Sequence, residues 1–261
     1  MKVISIFFVV LLFEALVSAT AVGRGSKLPS GCAFSSVPVP AATNSSASAR
    51  PCQAEGDRSS SADTGFKYTF ENPRFYIPWI QLDLSPEGAG IVHFRRGESD
   101  DLLDRKVRLL PSTLSKIAEL IARTSFLTSD EDYQSKRDFS HLGWMTISVN
   151  QGGKERTVRF NYTEKQDIGE LSEIFRAIAN QAIMLFDIDL SIQHQPLDLP
   201  RMLDTLENEL HLERYAEPDQ LISTLRDIAQ DDTLPLIARN HATRLITSIQ
   251  KGKFRSPVKP K

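Results

Sequence analysis

Residues 144–162 read WMTISVNQGGKERTVRFNY, and they decide the fold class. Met145, Ile147 and Val149 alternate with Thr146 and Ser148 ahead of Gly152-Gly153. Beyond the glycines, Val158, Phe160 and Tyr162 alternate with Thr157, Arg159 and Asn161. Period-two alternation on both sides of a glycine pair is the pattern of an antiparallel hairpin with one apolar face. Such a face needs a cover, so the flanking segments must supply one.

Upstream, YIPWIQLDLS sets Ile80, Leu82 and Leu84 against Gln81 and Asp83, and PEGAG follows as a turn. IVHFRR then sets Val92 and Phe94 against Ile91, His93 and Arg95, so these two runs predict a second hairpin. Between the hairpins, PSTLSKIAELIARTSFL repeats Leu114, Ile117, Ala118 and Ile121 at helical spacing, with Pro111 and Ser112 as the start. After the 144–162 hairpin, Thr163 and Gln166 have capping-box spacing, and Ile168, Leu171, Phe175, Ile178, Ala182 and Leu185 mark a second amphipathic helix. The order hairpin, helix, hairpin, helix predicts an α+β domain over residues 66–190. In it, a four-stranded antiparallel sheet is covered on one face by two helices.

The chain opens MKVISIFFVVLLFEALVSATA, with Lys2 before an apolar run and Ala19-Thr20-Ala21 as a small-residue cleavage site. Residues 1–21 are therefore expected to be a signal peptide. The run is shorter than the roughly 20 residues needed to span a bilayer, so no transmembrane segment is expected after cleavage. The protein is then periplasmic or extracellular. Residues 22–65 are rich in Ser, Ala and Pro and hold little to bury, so they are expected to be a disordered linker. Cys32 and Cys52 lie in it and fit an oxidising compartment, where a disulfide between them would be worth about 3 kcal/mol in the chain-entropy model. Sequons stand at Asn44 and Asn161. Cleavage removes one charge of each sign, so the mature chain keeps the formal net charge of −2 and no global field favours nucleic acid. Residues 253–261 make a basic, flexible tail.

Residues 197–252 read as wholly helical, with Leu203, Leu206 and Leu210 after Pro200, Leu221, Leu225 and Ile228 after Pro218, and Ala238, Ala242, Leu245 and Ile249 after Pro235. In LISTLRDIAQDDTLPLIARNHATRLITSI the aspartates before the turn, Pro235, Arg239, Ala242 and Leu245 resemble a single HEAT-type helix pair. That resemblance implies a helical hairpin on the α+β domain, or an adaptor binding through these helices. The chain as a whole resembles exported proteins of bacteria, a likeness that implies no activity.

The sequence holds no Gly-x-Ser-x-Gly, no phosphate-cradling glycine loop and no His-Glu-x-x-His. The five histidines are dispersed, each expected to be solvated, and the acidic run at Asp130 and Asp132 fails as a calcium loop because Ser135 and His141 stand where glycine and glutamate are required. Asp187-Ile188-Asp189 is read as a helix end passing into a loop. No metal and no cofactor is expected. Two surfaces remain. YQSKRDFSHLGW, residues 133–144, would serve a small exported hydrolase with Asp138 or His141 as acid or base. The polar sheet face, carrying Asp83, His93, Arg95, Trp144 and Arg159, would serve a non-catalytic protein that binds a protein or small ligand. The second expectation leads, because no catalytic spacing is present.

Overall fold

The structure is a computed structural model that describes residues 65–97, 99 and 101–254. The expected signal peptide, the Ser/Ala/Pro-rich segment through residue 64 with Cys32, Cys52 and Asn44, and residues 255–261 of the tail lie outside the described residues.

Six antiparallel strands form one sheet: β1 (Phe66–Glu71), β2 (Trp79–Leu84), β3 (Ala89–Arg95), β4 (Leu103–Arg108), β5 (Trp144–Gln151) and β6 (Lys154–Phe160). Their order is β4-β3-β2-β1-β5-β6. Both expected hairpins are present, with Leu82 opposite Val92 and Ile147 opposite Val158. Gly152 and Gly153 take positive φ of 61° and 77° at the β5–β6 turn, where glycine carries no Cβ penalty. The expected count of four strands is corrected to six. β1 lies between the hairpins, so neither pairs with the other directly. Its sequence FKYTFE alternates as a strand should, and Tyr68 and Phe70 are buried. β4 escapes periodicity because it carries Arg105, Lys106 and Arg108, charges suited to an exposed edge.

One face of the sheet is apolar, built by Tyr68, Phe70, Ile80, Leu82, Leu84, Val92, Phe94, Ile147, Val149 and Phe160. Over it lie α1 (Pro111–Arg123) and the first two thirds of α2 (Gln166–His194), whose Ile168, Leu171, Phe175 and Ile178 are buried. The Phe175 ring stacks on Tyr68 with centroids 5.7 Å apart. In α1 the buried stripe is Thr113, Lys116, Ile117, Leu120 and Ile121, and Ala118 faces solvent. The stripe is rotated from the expected one because Lys116 folds its stem inward and reaches Glu170 at 3.0 Å. The expected capping box is absent, since Gln166 is already the first residue of α2 and Thr163 Oγ1 accepts the Lys165 amide at 3.2 Å.

α2 continues through Asp187-Ile188-Asp189, which were expected to end a helix. Both aspartates are tied to the sheet instead. Asp187 accepts from Arg96, whose guanidinium lies over Phe94 and Phe186, and Asp189 accepts from Arg105 at 2.5 Å. The last third of α2 packs Met184, Leu185, Ile188 and Ile192 against α3 (Leu199–His211), α4 (Leu221–Gln230) and α5 (Leu236–Gln250), which share a second apolar cluster. Asp231 holds the α4–α5 turn by accepting the Thr233 amide at 2.9 Å, and Asp232 pairs with Arg239. His241, expected to be solvated, is 3% exposed and sits between Glu207 at 2.9 Å and Asp204 at 3.4 Å.

The segment before α4 is bonded to α1 and α2 through buried polar groups. Gln181 on α2 accepts the Glu217 amide and donates to the Glu217 carbonyl, each at 2.9 Å. The Glu217 side chain accepts the Leu110 amide at 2.8 Å at the start of α1. Burial holds the Glu217 carboxyl above its usual range, although bonds from Thr113 and Leu110 pull the other way. The folded chain therefore binds this proton more tightly than the unfolded chain does. Its contribution to stability is full below the unfolded value of about 4.3 and is lost as pH rises through the higher folded value. Glu217→Gln should thus gain on the wild type between pH 4 and pH 7. Urea midpoints of the two proteins at each pH check this, and parallel shifts would exclude it.

Candidate functional site

The pleat sends every second side chain to the face opposite the helices. On that face one row crosses four strands. Arg95 stands opposite Trp79, Trp79 opposite Glu71, and Glu71 opposite Trp144. The chain has two tryptophans, and this row places them two strands apart, about 10 Å, on either side of one carboxylate. Arg95 lies over the Trp79 ring at 5.3 Å and Arg159 over the Trp144 ring at 4.8 Å. Arg159 also donates to Glu71 at 3.2 Å.

Trp79, Glu71 and Trp144 of this row line an open cleft of about 570 Å³, together with residues of the 72–78 loop and of the 3-10 turn Ser140–Leu142. Asn72 is bonded to both segments. Its side-chain amide donates to the His141 carbonyl at 3.1 Å, and its Oδ1 accepts the Arg74 amide at 3.1 Å. Gly143 lets the turn close against β1. It has φ 92° and ψ 175°, and a Cβ there would stand 2.8 Å from the Glu71 carbonyl oxygen. His141 is exposed on that turn. Cation–aromatic stacking and a central carboxylate suit the cleft to holding a flat or apolar group beside an ion.

All five face residues expected from the sequence point outward, but they do not form one cluster. Trp144 and Arg159 line the cleft, and Arg95 adjoins it through Trp79. His93 stands in the next row, opposite Gln81 and Asp104. Asp83 lies further along β2, accepting from Gln81 at 2.6 Å and facing Lys67 at 3.8 Å. In the 133–144 segment, Asp138 accepts the Ser140 amide at 2.8 Å, which holds its carboxyl below the usual range. Among the described residues no hydrogen bond joins Asp138 to His141, whose ring neighbours Phe139 at 6.2 Å. β6 stops at Phe160, and the Tyr162 ring packs tilted against Phe139 with centroids 4.6 Å apart.

Glu71, Asn72, Arg74 and Trp79 were missed. Trp79 shares the parity of Gln81 and Asp83, so its outward direction was readable from the sequence. Glu71 required recognising β1. The 72–78 loop carries no pattern that places it beside the 140–142 turn.

Among the described residues no group of three or more His, Cys, Asp or Glu is set to hold a metal ion, and no helix is long and apolar enough to cross a membrane. No known protein family matches this chain, and no curated protein matches it in sequence.

Proposed function

We propose that this chain is an exported, non-catalytic binding protein that takes its partner in the cleft on the outward sheet face. The observation that carries the reading is the row in which both tryptophans flank Glu71, each ring with an arginine over it. Tryptophan and arginine dominate the energetics of protein interfaces, chiefly where they cluster at a central recess. Tyr76, 73% exposed on the loop beside the cleft, adds a third aromatic contact. Export is supported by the N-terminal sequence pattern.

The double substitution Trp144→Ala with Arg159→Ala tests the site. Neither side chain belongs to the apolar core, so the urea midpoint should move by less than about 1 kcal/mol equivalent. A partner recovered on the wild-type protein from the exported fraction should be lost at least tenfold on the variant, an effect expected of hot-spot truncation. Equal recovery on both would remove the cleft as the site.

A further inference from the structure

We infer that the cleft takes a short acidic segment of a partner protein, with an apolar side chain held between the tryptophans and a carboxylate against Arg95 and Arg74. This rests on the binding role proposed above and adds the chemistry of the occupant.

Charge complementarity selects it. The chain as a whole is slightly acidic, with a formal net charge of −2. Among the described residues the cleft lining runs the other way, with Arg74 and Arg159 against Glu71, and Arg95 adjoins it over Trp79. Arg159 is already paired with Glu71 at 3.2 Å. Among the described residues Arg95 and Arg74 have no ion pair. Arg95 is stacked on Trp79, and Arg74 is bonded through its backbone amide to Asn72. Asp101, in the loop after β3, accepts the Ser99 hydroxyl at 2.9 Å instead of facing Arg95. A guanidinium over an indole at this distance can still donate from its N–H groups, and their fork suits a planar, two-oxygen acceptor such as a carboxylate.

The rest of the lining is apolar enough for a side chain. Trp79, Trp144, Pro73 and Pro78 supply the surface, and the open sheet face suits an extended backbone. Single-stranded nucleic acid also stacks on aromatic rings, but it presents a charge at every nucleotide and needs a basic track. Two arginines with no ion pair among the described residues match one or two carboxylates and are too few cations to track a phosphate run.

Both tryptophans of the chain lie in the cleft, so intrinsic tryptophan fluorescence reports on this site without a label. The full chain is titrated with a blocked hexapeptide of alternating aspartate and phenylalanine, with its asparagine counterpart, and with hexathymidylate. The acidic peptide should bind at least tenfold more tightly than the asparagine peptide, and that preference should shrink as salt rises from about 50 to about 300 mM. In Arg95→Gln with Arg74→Gln the two peptides should bind alike, with the urea midpoint unchanged. Equal binding of both peptides to the wild type, binding of neither, or tighter binding of hexathymidylate overturns the inference. Those results leave the binding role standing. The role itself falls only if Trp144→Ala with Arg159→Ala leaves partner recovery unchanged.

Discussion

Gly143→Ala is expected to lower stability by about 4 kcal/mol, although it adds a single methyl group. Two costs combine. Gly143 has φ 92° and ψ 175°, a region that is essentially restricted to glycine and costs other residues about 1–3 kcal/mol. The added Cβ would also stand 2.8 Å from the Glu71 carbonyl oxygen, 2.8 Å from Phe70 Cε2 and 2.9 Å from Asn72 Cβ. A backbone oxygen in a sheet cannot move aside as a flexible side chain can, so a further overpacking cost of about 1–3 kcal/mol follows. For a folded region of this size the melting temperature should fall by roughly 8–16 °C. The damage is local in origin, because β1 and the 140–142 turn are the elements pushed apart. Tryptophan emission from Trp144 should therefore shift before the helical signal is lost. A melting temperature within about 2 °C of the wild type would show that the turn is free to relax, and that the cleft lining is not fixed by this glycine.

Gln181→Leu is expected to cost about 2–6 kcal/mol, from the two buried backbone groups it would leave unpaired. Gln181 is 5% exposed, and its amide answers both the N–H and the C=O of Glu217 at 2.9 Å. Leucine fills similar space but answers neither, and each orphaned group costs about 1–3 kcal/mol. Glu217 is itself buried and bonded to the start of α1, so the loss loosens the stretch that carries the chain into α4. Amide hydrogen exchange should show α4 and α5 opening at lower free energy than the sheet. A uniform loss of protection across the described residues would mean that the two apolar clusters unfold as one unit.

The same two sites mark what could and could not be read in advance. The β2–β3 and β5–β6 hairpins were legible because one face of each strand is buried and the other wet, which forces period-two alternation. α1 and the first part of α2 were legible from helical spacing for the same reason. β4 was not, since Arg105 stands between its two inward apolar residues, Leu103 and Val107, and interrupts the alternation. The full extent of α2 was not, since Asp187 and Asp189 look like helix-ending residues until Arg96, just past β3, and Arg105, on β4, are brought to them from 91 and 84 positions away. Of the candidate site, Trp144, Arg159 and Arg95 were legible as outward-facing residues. Trp79 was legible in the same way, by parity along β2, whereas Glu71 and the joining of Trp79 to Trp144 through it depended on β1 being placed between the two hairpins.

Sequence by itself determined the α+β class, the two hairpins, the apolar face and the direction of each side chain along a recognised strand. Those are local properties, set by a periodicity of two or 3.6 residues. Tertiary structure alone decided the strand order, the convergence of Trp79, Glu71 and Trp144 in one row, and the closing of the 72–78 loop on the 140–142 turn. Each of those joins segments far apart in the chain, through hydrogen bonds and packing that leave no periodic trace in the sequence.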